Sequence, residues 1–440
     1  MGLLYIASYI RKFSNHNVSI LDLQAKPLED GVLIKRIREI GPDVVGVTTW
    51  TDFWYPVWRL IGLIKRNLPE VHITLGGPHV SIYPELTLSH TVVDSIILGD
   101  GEIPMLKLLD HLEFGAPFSI DGLYLRKDPP SKGFKSYVLE DLNSIPHPER
   151  KLLPLDDYTS VLAKDSRITT MITSRGCPYR CVFCKLSFQE PKFRSALNVL
   201  DEMEQIQGFG IKELEIYDDT FTWSKKRLVE ICQGVVERDI RLRWAIRDRV
   251  NNVSEESLHW LRRAGCNRIH LGVESGNPNI LKHIKKNIDL QQAKQAVDLA
   301  KKAGFTVLTY YMIGLPGERE KEVMETIEFA LSLDSDYVEF NICIPYPGTE
   351  MYEEALRKGI IPKDYWKEFA INPVSDFILP YVYEEYLTKV RLIELRNLAV
   401  RKYYLRSKLL LRELRRCSSL SEFRRKARMG LTILRQSYTR

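Results

Sequence analysis

The string Thr173-Ser-Arg-Gly-Cys177-Pro-Tyr-Arg-Cys181-Val-Phe-Cys184 places three cysteines within eight positions, close behind a predicted strand at Thr169–Ser174. Thiolates are soft ligands, so three of them on one short loop suit an iron–sulfur cluster with one iron left open for a small molecule. A zinc site is the alternative, but it needs a fourth ligand, and the nearest downstream are Cys232 and His259. The remaining cysteines are expected to be ordinary packed or surface thiols: Cys232, Cys266, Cys343 and Cys417.

Strands and helices alternate on both sides of this loop. Behind it the predicted strands are Thr169–Ser174, Glu213–Tyr217, Arg243–Ile246, Arg268–Val273, Val307–Ile313 and Tyr337–Ile344. Helical patterns separate them, at Ala196–Gln207, Lys225–Arg238, Glu255–Ala264, Leu290–Ala303, Glu320–Leu331 and Glu350–Arg357. Six such units over about 190 residues fall short of the eight of a closed barrel. Residues 166–370 are therefore predicted to form a partial, open-sided (β/α)6 barrel.

Residues 1–125 show a separate alternating series. Strands are predicted at Val18–Asp22, Asp43–Thr48, His72–Leu75 and Val93–Leu98, with helices at Gly31–Ile40 and Trp54–Asn67. Glycine-rich turns after these strands indicate an open, Rossmann-like parallel sheet whose ligand lies beyond the carboxyl ends of the strands. The Pro-rich residues 126–165 are predicted to be a linker that adds an edge strand, and residues 371–440 a basic helical region.

The CxxxCxxC loop, with the aromatic Phe183 before its third cysteine, resembles the radical S-adenosylmethionine (SAM) superfamily. The resemblance implies that Cys177, Cys181 and Cys184 hold a 4Fe–4S cluster. It implies that the open iron chelates SAM, and that an electron through the cluster cleaves SAM to a 5′-deoxyadenosyl radical. An electron donor such as flavodoxin or ferredoxin is implied as a partner.

Further strings behind the loop are similar to the SAM-binding segments of that superfamily. Gly272-Val-Glu274-Ser275-Gly276 looks like the fourth-strand ribose motif, and Met312–Glu318 like the segment beside the adenine. The second strand ends in Tyr217-Asp218-Asp219 instead of the common Gly-Gly-Glu, and Arg249 would pair with the SAM carboxylate or only with an acid such as Asp248. The resemblance thus implies SAM contacts at Phe183, Asp218, Arg249, Glu274, Ser275 and Gly314; Asp219 and Tyr311 are candidate catalytic groups.

Four N-terminal strings are similar to the cobalamin-binding domain of one radical SAM subfamily: Gly2–Ala7, Asp43–Thr48, Gly76–His79 and Gly99–Glu102. That subfamily includes anaerobic magnesium-protoporphyrin monomethyl ester cyclases and hopanoid or phosphonate methylases. The resemblance implies cobalamin contacts at Thr48, Thr49, Gly76, Gly77, Gly99 and Glu102. Two departures stand out. The usual first strand does not precede Gly2, so either the start is misplaced or the sheet has lost a strand. The Asp-x-His-x-x-Gly motif is missing, which excludes that histidine as a cobalt ligand but not cobalamin itself.

The sequence therefore predicts an enzyme with a 4Fe–4S cluster, SAM and cobalamin, which methylates or oxidatively cyclises an unactivated carbon of a small-molecule or lipid-like substrate. Two alternatives stay open. The N-terminal domain could be retained without cobalamin, or the protein could be a cobalamin or redox sensor without turnover. The predicted barrel lacks a basic groove with interleaved aromatics, which argues against nucleic acid as a partner.

Charge is distributed unevenly along the chain. The whole sequence of 440 residues has Lys+Arg 63 against Asp+Glu 57, a balance of +6. Residues 391–440 hold 15 Lys/Arg and three Glu, so this segment is +12 and the rest −6. Residues 401–412 have the cationic and apolar faces of an interfacial helix, or of a helix packed on the acidic body. With no long apolar run and no signal peptide, we expect a cytoplasmic protein, with contact to the inner membrane surface as an open option.

Overall fold

The computed structural model describes residues 1–131, 133–164, 167–185, 190–375, 382–416, 424, 426–428, 430–432 and 435. The chain divides into two compact units. Unit 1 comprises Met1–Pro154 and Lys363–Pro380, and unit 2 comprises Leu155–Pro362 and Tyr381–Arg440. The limits of these units differ from the predicted limits of 1–125, 126–165, 166–370 and 371–440, which stay a prediction: residues 126–154 cluster with unit 1, and residues 371–440 are divided between the two units.

Unit 1 contains a four-stranded sheet of order β1-β2-β3-β4. Its elements are α1 (Gly2–Phe13), α2 (Asp30–Ile40), β1 (Val44–Thr48), α3 (Trp54–Asn67), β2 (His72–Gly76), α4 (Pro78–Ile82), α5 (Pro84–His90), β3 (Ser95–Ile97), α6 (Glu102–Phe114) and β4 (Leu123–Leu125). β1, β2 and β3 run parallel, and β4 joins β3 antiparallel. The predicted parallel sheet is confirmed, but the predicted strand at Val18–Asp22 is wrong, since no ladder joins those residues to a strand in the structure.

The Pro-rich segment belongs to unit 1 because hydrogen bonds and buried side chains hold it there. The backbone N–H of Leu139 donates to Oδ2 of Asp100 (2.8 Å), and the N–H of Glu149 donates to Oγ of Ser8 (2.7 Å). Leu139, Leu142 and Ile145 are buried. A segment with so many internal partners is part of the fold rather than a free linker.

Unit 2 is built on a six-stranded, all-parallel sheet of order β12-β11-β10-β9-β8-β5. The six strands of this sheet are β5 (Ile168–Met171), β8 (Glu213–Ile216), β9 (Arg243–Arg249), β10 (Cys266–Glu274), β11 (Thr306–Ile313) and β12 (Tyr337–Ile342). A separate two-stranded sheet is formed by β6 (Ser174–Arg175) and β7 (Lys192–Phe193). Between and after them come α7 (Ala196–Gly208), α8 (Lys225–Glu237), α9 (Glu255–Arg263), α10 (Pro278–His283), α11 (Leu290–Lys302), α12 (Glu320–Leu333) and α13 (Glu350–Arg357). The predicted partial barrel is confirmed.

Side chains alternate between the two faces of the six-stranded sheet, as the period of two in a strand requires. One face packs against the helices and forms the core, with Trp244, Leu271, Tyr311 and Phe340 among its members. The opposite face, which we call the lumen face, is polar. It carries Glu213, Glu215, Arg243, Arg247, Arg268, His270, Tyr310, Glu339 and Asn341.

The last helices are α14 (Tyr365–Ile371), α15 (Lys389–Tyr404) and α16 (Ser407–Arg416). α15 belongs to the core of unit 2, because Leu392, Leu395 and Tyr403 are buried within that core. In α16, Lys408 pairs with Asp334 (2.7 Å). The prediction of one helix over residues 401–412 is wrong, since α15 ends at Tyr404 and α16 begins at Ser407. The ion pair of Lys408 favours packing on the acidic body over a free interfacial helix. In the part of the chain that is described, no helix is long and apolar enough to cross a bilayer.

Candidate cluster and cofactor site

The three cysteines of the CxxxCxxC loop lie just beyond the short β6 strand. β6 pairs antiparallel with β7, which fixes the first residues of the loop. Gly176, with a φ of 94°, takes a conformation that a side chain would strain, and it turns the chain toward Cys177. Cys177 and Cys181 are half-buried and Cys184 is exposed, and all three are free thiols. The loop thus presents three unpaired sulfur ligands.

Hydrogen bonds centred on Thr173 hold the start of this loop. Oδ1 of Asp218 accepts from the backbone N–H groups of Thr173 (2.6 Å) and Ser174 (3.1 Å), and Oδ2 accepts from the Thr173 hydroxyl. The carbonyl of Thr173 accepts from Nη2 of Arg227 (2.9 Å) and from the N–H of Arg194 (3.0 Å). Asp218, which the resemblance implied as a SAM contact, therefore has its carboxylate engaged in bracing the cysteine loop.

Asp219 follows this brace; the residue as a whole is exposed, but its carboxyl group is partly withdrawn from water. Burial of its carboxyl and the neighbouring Asp218 raise its pKa. Burial also raises the pKa of Cys184, to about 12, with additional contributions from Cys181, Asp219 and Cys177. Burial likewise raises the pKa of Cys177, so cluster binding at these two thiols releases protons.

Arg249 supplies a positive charge at the sulfur ligands. Its Nη1 lies 3.4 Å from Sγ of Cys181, and its guanidinium lies 3.7 Å from the centre of the Tyr179 ring. Nη2 donates to the carbonyl of Lys286. Asp248 accepts from the backbone N–H of Arg249 (2.7 Å), not from its guanidinium. The side chain of Arg249 thus faces the cysteine loop.

Glu274 forms a buried ion pair with Lys286, which the sequence did not single out. Oε1 of Glu274 and Nζ of Lys286 are 2.7 Å apart. Glu274 has a φ of 71° at the end of β10, an unfavourable conformation for a residue with a side chain. A Cβ on Gly272 would lie 2.5 Å from Oε1 of Glu274 and 2.8 Å from Nζ of Lys286, so glycine makes room for the pair. A lone lysine after a helix carries no local signal, which is why Lys286 was missed.

The other residues predicted to contact SAM have internal partners. Ser275 is buried, and its Oγ lies 3.1 Å from Oγ1 of Thr326. Gly314, with a φ of 85°, donates its N–H to Oε2 of Glu318 (2.8 Å). Burial raises the pKa of Glu318 to about 7. Phe183 is half-buried on the loop itself, beside the buried Val182. Among these residues the structure brings Arg249 and Glu274, with Lys286, into one network that reaches Cys181.

The donor set suits a cluster better than a single ion. Among the described residues, no three Cys, His or carboxylate side chains are placed so that they could hold one metal ion. A 4Fe–4S cluster binds each thiolate through a different iron, so its ligands need not converge on one point. Three thiols on one braced loop, with a guanidinium beside them, fit that cluster and not a four-ligand zinc site.

In unit 1, the candidate cobalamin residues fall into two groups. Thr48, Thr49, Gly76 and Gly77 lie together at the carboxyl ends of β1 and β2, where the N–H of Thr49 donates to the carbonyl of Gly76 (2.9 Å). Trp50 and Phe53 follow β1 and are 60% and 49% exposed. Exposed aromatic rings that follow β1 directly, close in sequence to the exposed Thr48, are the kind of apolar lining that a flat macrocycle needs.

Gly99 and Glu102, the second group, pack against other parts of unit 1. A Cβ on Gly99 would lie 2.1 Å from the carbonyl oxygen of Tyr137, so this glycine permits the close approach of that segment. Glu102 is buried at the start of α6. His79 is also buried and stacks on Trp54, with ring centroids 4.2 Å apart, and burial lowers its pKa to about 3.

Tyr311, a candidate catalytic group from the sequence, lies on the opposite side of β11 from the lumen face. It is fully buried in the core and stacks on Phe340, with ring centroids 5.2 Å apart. Adjacent residues of a strand point to opposite faces, so Tyr310 is the tyrosine of the lumen face. The structure thus assigns Tyr311 to packing.

Comparisons with known proteins agree with both units. The Radical SAM superfamily model matches residues 171–330, and the B12 binding domain model matches residues 1–109. An uncharacterized methyltransferase of Pyrococcus horikoshii is 34% identical over 94% of this chain and 89% of its own length. The anaerobic magnesium-protoporphyrin IX monomethyl ester cyclase of Rubrivivax gelatinosus is 25% identical over 84% of this chain and 68% of its own.

A solved structure shares the fold. The radical SAM methyltransferase TsrM from Kitasatospora setae, with cobalamin and a [4Fe-4S] cluster bound, superposes with a TM-score of 0.67 at 19% identity. The match covers 82% of this chain and 72% of that chain. It agrees with the parallel sheet of unit 1 and the half-barrel of unit 2.

Proposed function

This chain belongs to the cobalamin-binding radical SAM family, and we propose that within it the protein methylates an unactivated carbon of a small-molecule or lipid-like substrate. The proposal of methylation rests on the likeness to the Pyrococcus horikoshii relative, which is named a methyltransferase and is 34% identical over 94% of this chain. The cofactors are a 4Fe–4S cluster, SAM and cobalamin. When bound, the cluster and SAM supply a 5′-deoxyadenosyl radical, and cobalamin supplies a methyl carrier.

Within unit 2, we assign Cys177, Cys181 and Cys184 as the cluster ligands. Arg249 places a positive charge beside these ligands, with Nη1 3.4 Å from Sγ of Cys181, and so would attract a negatively charged cluster. Glu274, held by Lys286 at 2.7 Å, is our candidate for the SAM ribose. Asp218 supports the site by holding the cysteine loop, and Ser275 supports it by holding the end of β10. Asp219 is the carboxylate that remains available to the amino group of SAM.

Within unit 1, we assign the glycine-backed surface of Thr48, Gly76 and Gly77, together with Trp50 and Phe53, to cobalamin. The exposed fractions of the two aromatic rings support this assignment, since exposed aromatic rings offer stacking area to a planar ring system. Gly99 and Glu102 serve the packing of unit 1 in this proposal.

Oxidative cyclisation is the second candidate reaction. It is favoured by the likeness to the Rubrivivax gelatinosus cyclase, which is 25% identical over 84% of this chain. The two reactions differ in the fate of the SAM methyl group, which only methylation transfers to the product.

The test uses full-length protein purified without oxygen and reconstituted with iron, sulfide and hydroxocobalamin. We expect a corrinoid absorbance that survives gel filtration, and 5′-deoxyadenosine from SAM and dithionite. SAM with a trideuterated methyl group should label a product from a cell extract if the reaction is methylation, and leave the product unlabelled if it is cyclisation.

Two cysteine variants control this experiment. Cys181→Ala should abolish 5′-deoxyadenosine, whereas Cys417→Ala should not; Cys417 lies outside the residues that the structure describes. A protein that retains no corrinoid would contradict the role of cobalamin. An intact cluster that releases no 5′-deoxyadenosine would favour the sensor.

We also propose peripheral membrane contact through the outer side of the C-terminal helices. Leu405, Leu410 and Leu411 are 46%, 50% and 54% exposed. Exposed apolar side chains on a basic segment suit an interfacial position on a lipid surface, although Lys408 itself is paired with Asp334. Full-length protein should sediment with anionic vesicles, and the double variant Leu410→Gln/Leu411→Gln should lose that binding. Equal sedimentation of the two proteins would leave this surface without a membrane role.

A further inference from the structure

The lumen face of unit 2 carries a fixed chain of charged and polar side chains that starts at Glu215. Oε1 of Glu215 lies 2.6 Å from Nη2 of Arg268, and Oε2 lies 3.2 Å from Nη2 of Arg247. Nη1 of Arg268 donates to the carbonyl of Leu162 (2.8 Å). Glu215 and Arg268 are both buried, so a guanidinium with these partners has one orientation available.

The orientation of Arg268 fixes the protonation of His270. Nε of Arg268 donates to Nε2 of His270 across 3.0 Å. A guanidinium nitrogen always carries its hydrogen, so Nε2 of His270 must be the acceptor. Burial, with the charges of Arg247 and Arg268, lowers the pKa of His270 to about 2, so the ring is neutral. Its hydrogen therefore sits on Nδ1.

The protonated Nδ1 of His270 in turn orients Tyr310. Nδ1 lies 2.8 Å from Oη of Tyr310, and because Nδ1 donates, Oη accepts. The hydroxyl hydrogen of Tyr310 then points away from His270, and no acceptor for it is found among the residues that the structure describes. Burial raises the pKa of Tyr310 to about 12, so that hydrogen stays in place at neutral pH.

Tyr310 stands close to the candidate SAM site. It pairs in register with Gly272, whose missing side chain makes room for Glu274 and Lys286. The nearest charges besides Glu215 are those of Arg247 and Glu339, which act on Tyr310 in opposite directions. Arg247 lies over the Tyr217 ring, with its guanidinium 3.5 Å from the ring centre. A donor hydroxyl and a half-buried guanidinium thus face the same space.

We infer that Tyr310 donates a hydrogen bond to an acceptor oxygen of the substrate on the lumen face, with Arg268 and His270 as positioning residues. This inference rests on the proposed function, since it identifies a substrate contact of the same site. The acceptor is a carbonyl, carboxylate or phosphoryl oxygen, since the neighbouring Arg247 guanidinium disfavours a positive group there. Arg268 acts through His270, which Arg268 locks in the tautomer that makes Tyr310 a donor.

The first test reads the tautomer directly, without any substrate. Full-length protein labelled with nitrogen-15 in histidine is compared with His270→Gln to assign the His270 signals in long-range proton–nitrogen spectra. We expect a neutral ring with its hydrogen on Nδ1 from pH 6 to 8. The variant Arg268→Met should lose this fixed tautomer. A hydrogen on Nε2, or a charged ring, in the native protein would overturn the inference.

The second test measures how well radical formation is coupled to product. Tyr310→Phe is compared with Tyr311→Phe, its neighbour on the core side of β11, using trideuterated SAM and a cell extract as the substrate pool. We expect the labelled product per 5′-deoxyadenosine to fall about tenfold in Tyr310→Phe, the effect of one lost hydrogen bond. The ratio should be unchanged in Tyr311→Phe.

The outcomes separate this inference from the proposed function. If neither the native protein nor a variant releases 5′-deoxyadenosine, or if the native protein labels no product, the proposed function fails and the substrate contact of Tyr310 falls with it, whatever the tautomer of His270. If both tyrosine variants show the native ratio of product to 5′-deoxyadenosine, Tyr310 does not contact the substrate and the inference is overturned.

Discussion

Asp218 was expected to contact SAM, but in the structure its side chain holds the loop that carries the cluster cysteines. Its buried carboxylate accepts from two backbone N–H groups and one hydroxyl at the start of the cysteine loop. The two consecutive aspartates in the sequence indicated a functional pair, but not which of them braces the loop and which is available to a ligand. Burial separates the two residues, because Asp218 is turned inward and Asp219 remains exposed.

Asp218→Ala should reduce the iron content of reconstituted protein, because it leaves buried donors of Thr173 and Ser174 unpaired. Each lost partner costs about 1–3 kcal/mol, enough to loosen the loop. Iron and sulfide per chain, with the melting temperature of unit 2, measure the effect. Asp219→Ala is the matched control and should keep its iron. Full iron content with weakened SAM binding in Asp218→Ala would instead support the direct role predicted from the sequence.

Glu318 gives the free energy of unfolding a pH dependence of defined sign. Its pKa is raised from 4.5 to about 7 in the folded protein, mainly by burial. As pH rises above 4.5, Glu318 loses its carboxyl proton in the unfolded chain but keeps it in the folded protein. The free energy of unfolding therefore falls with rising pH until about pH 7. The loss amounts to about 3 kcal/mol.

In Glu318→Gln this loss should be absent. The stability of the variant relative to the native protein should therefore rise between pH 4.5 and 7 and stay level above that. Urea unfolding of both proteins at pH 5, 6, 7 and 8 measures the difference. A difference that is constant over this range would mean that Glu318 is already ionised in the folded protein at pH 5.

Helix α15 is the element whose role differs most from its sequence pattern. Its residues belong to the segment predicted as a basic helical region, and Leu392 and Leu395 are buried in the core of unit 2. The two Cδ atoms of Leu392 lie 3.0 Å from the position that a Cβ on Gly314 would occupy. The helix therefore packs directly on the turn after β11. Its composition could not reveal this, because packing depends on a partner surface about 80 residues away in sequence.

Leu392→Ala should destabilise unit 2 by about 2–5 kcal/mol, the usual cost of a cavity at a fully buried leucine. Val390→Ala, two residues earlier and 67% exposed, is the control and should change stability little. Differential scanning calorimetry of both variants checks the prediction. Equal melting of Leu392→Ala and native protein would contradict the place of α15 in the core.

The strands themselves were well predicted, while the direction of their side chains was not. In β11 the sequence Thr306–Ile313 is apolar or aromatic at most positions, so period-two alternation leaves two phases that look alike. Burial against the helices selects the phase with Tyr311 in the core and Tyr310 on the lumen face. The same choice of phase decides which tyrosine is available to a substrate.

At the scale of the whole molecule, the cysteine loop and the strand–helix order indicated both units, because those signals are local. The limits of the units were not predictable in the same way. They depend on contacts between distant segments, such as the bond from Nε1 of Trp54 to the carbonyl of Ala370 (3.1 Å). The Arg268–His270–Tyr310 chain was missed because its contacts depend on the pairing of β10 with β11, which brings His270 to Tyr310.

Acid should weaken both units, because each buries a neutral histidine. In unit 1 burial lowers the pKa of His79 to about 3, so its stabilising contribution is complete above pH 6.5 and is lost as pH falls toward 3. The full loss is about 5 kcal/mol. His79→Phe should shift the acid unfolding of unit 1 to lower pH, followed by circular dichroism. An unchanged midpoint would show that His79 can be protonated within the folded unit.

The division of unit 1 into two separate segments has a consequence for biosynthesis. The buried Trp54 finds its hydrogen-bond partner Ala370 in α14, which packs against α5 and is 316 residues further along the chain. At ordinary rates of translation the ribosome needs about 15–60 s to make that stretch. Throughout this interval the nascent unit 1 lacks its last helix and exposes apolar surface. Residues 155–362 of unit 2 are made before unit 1 can be completed. Cobalamin therefore meets a finished binding unit only after most of the radical SAM unit has left the ribosome.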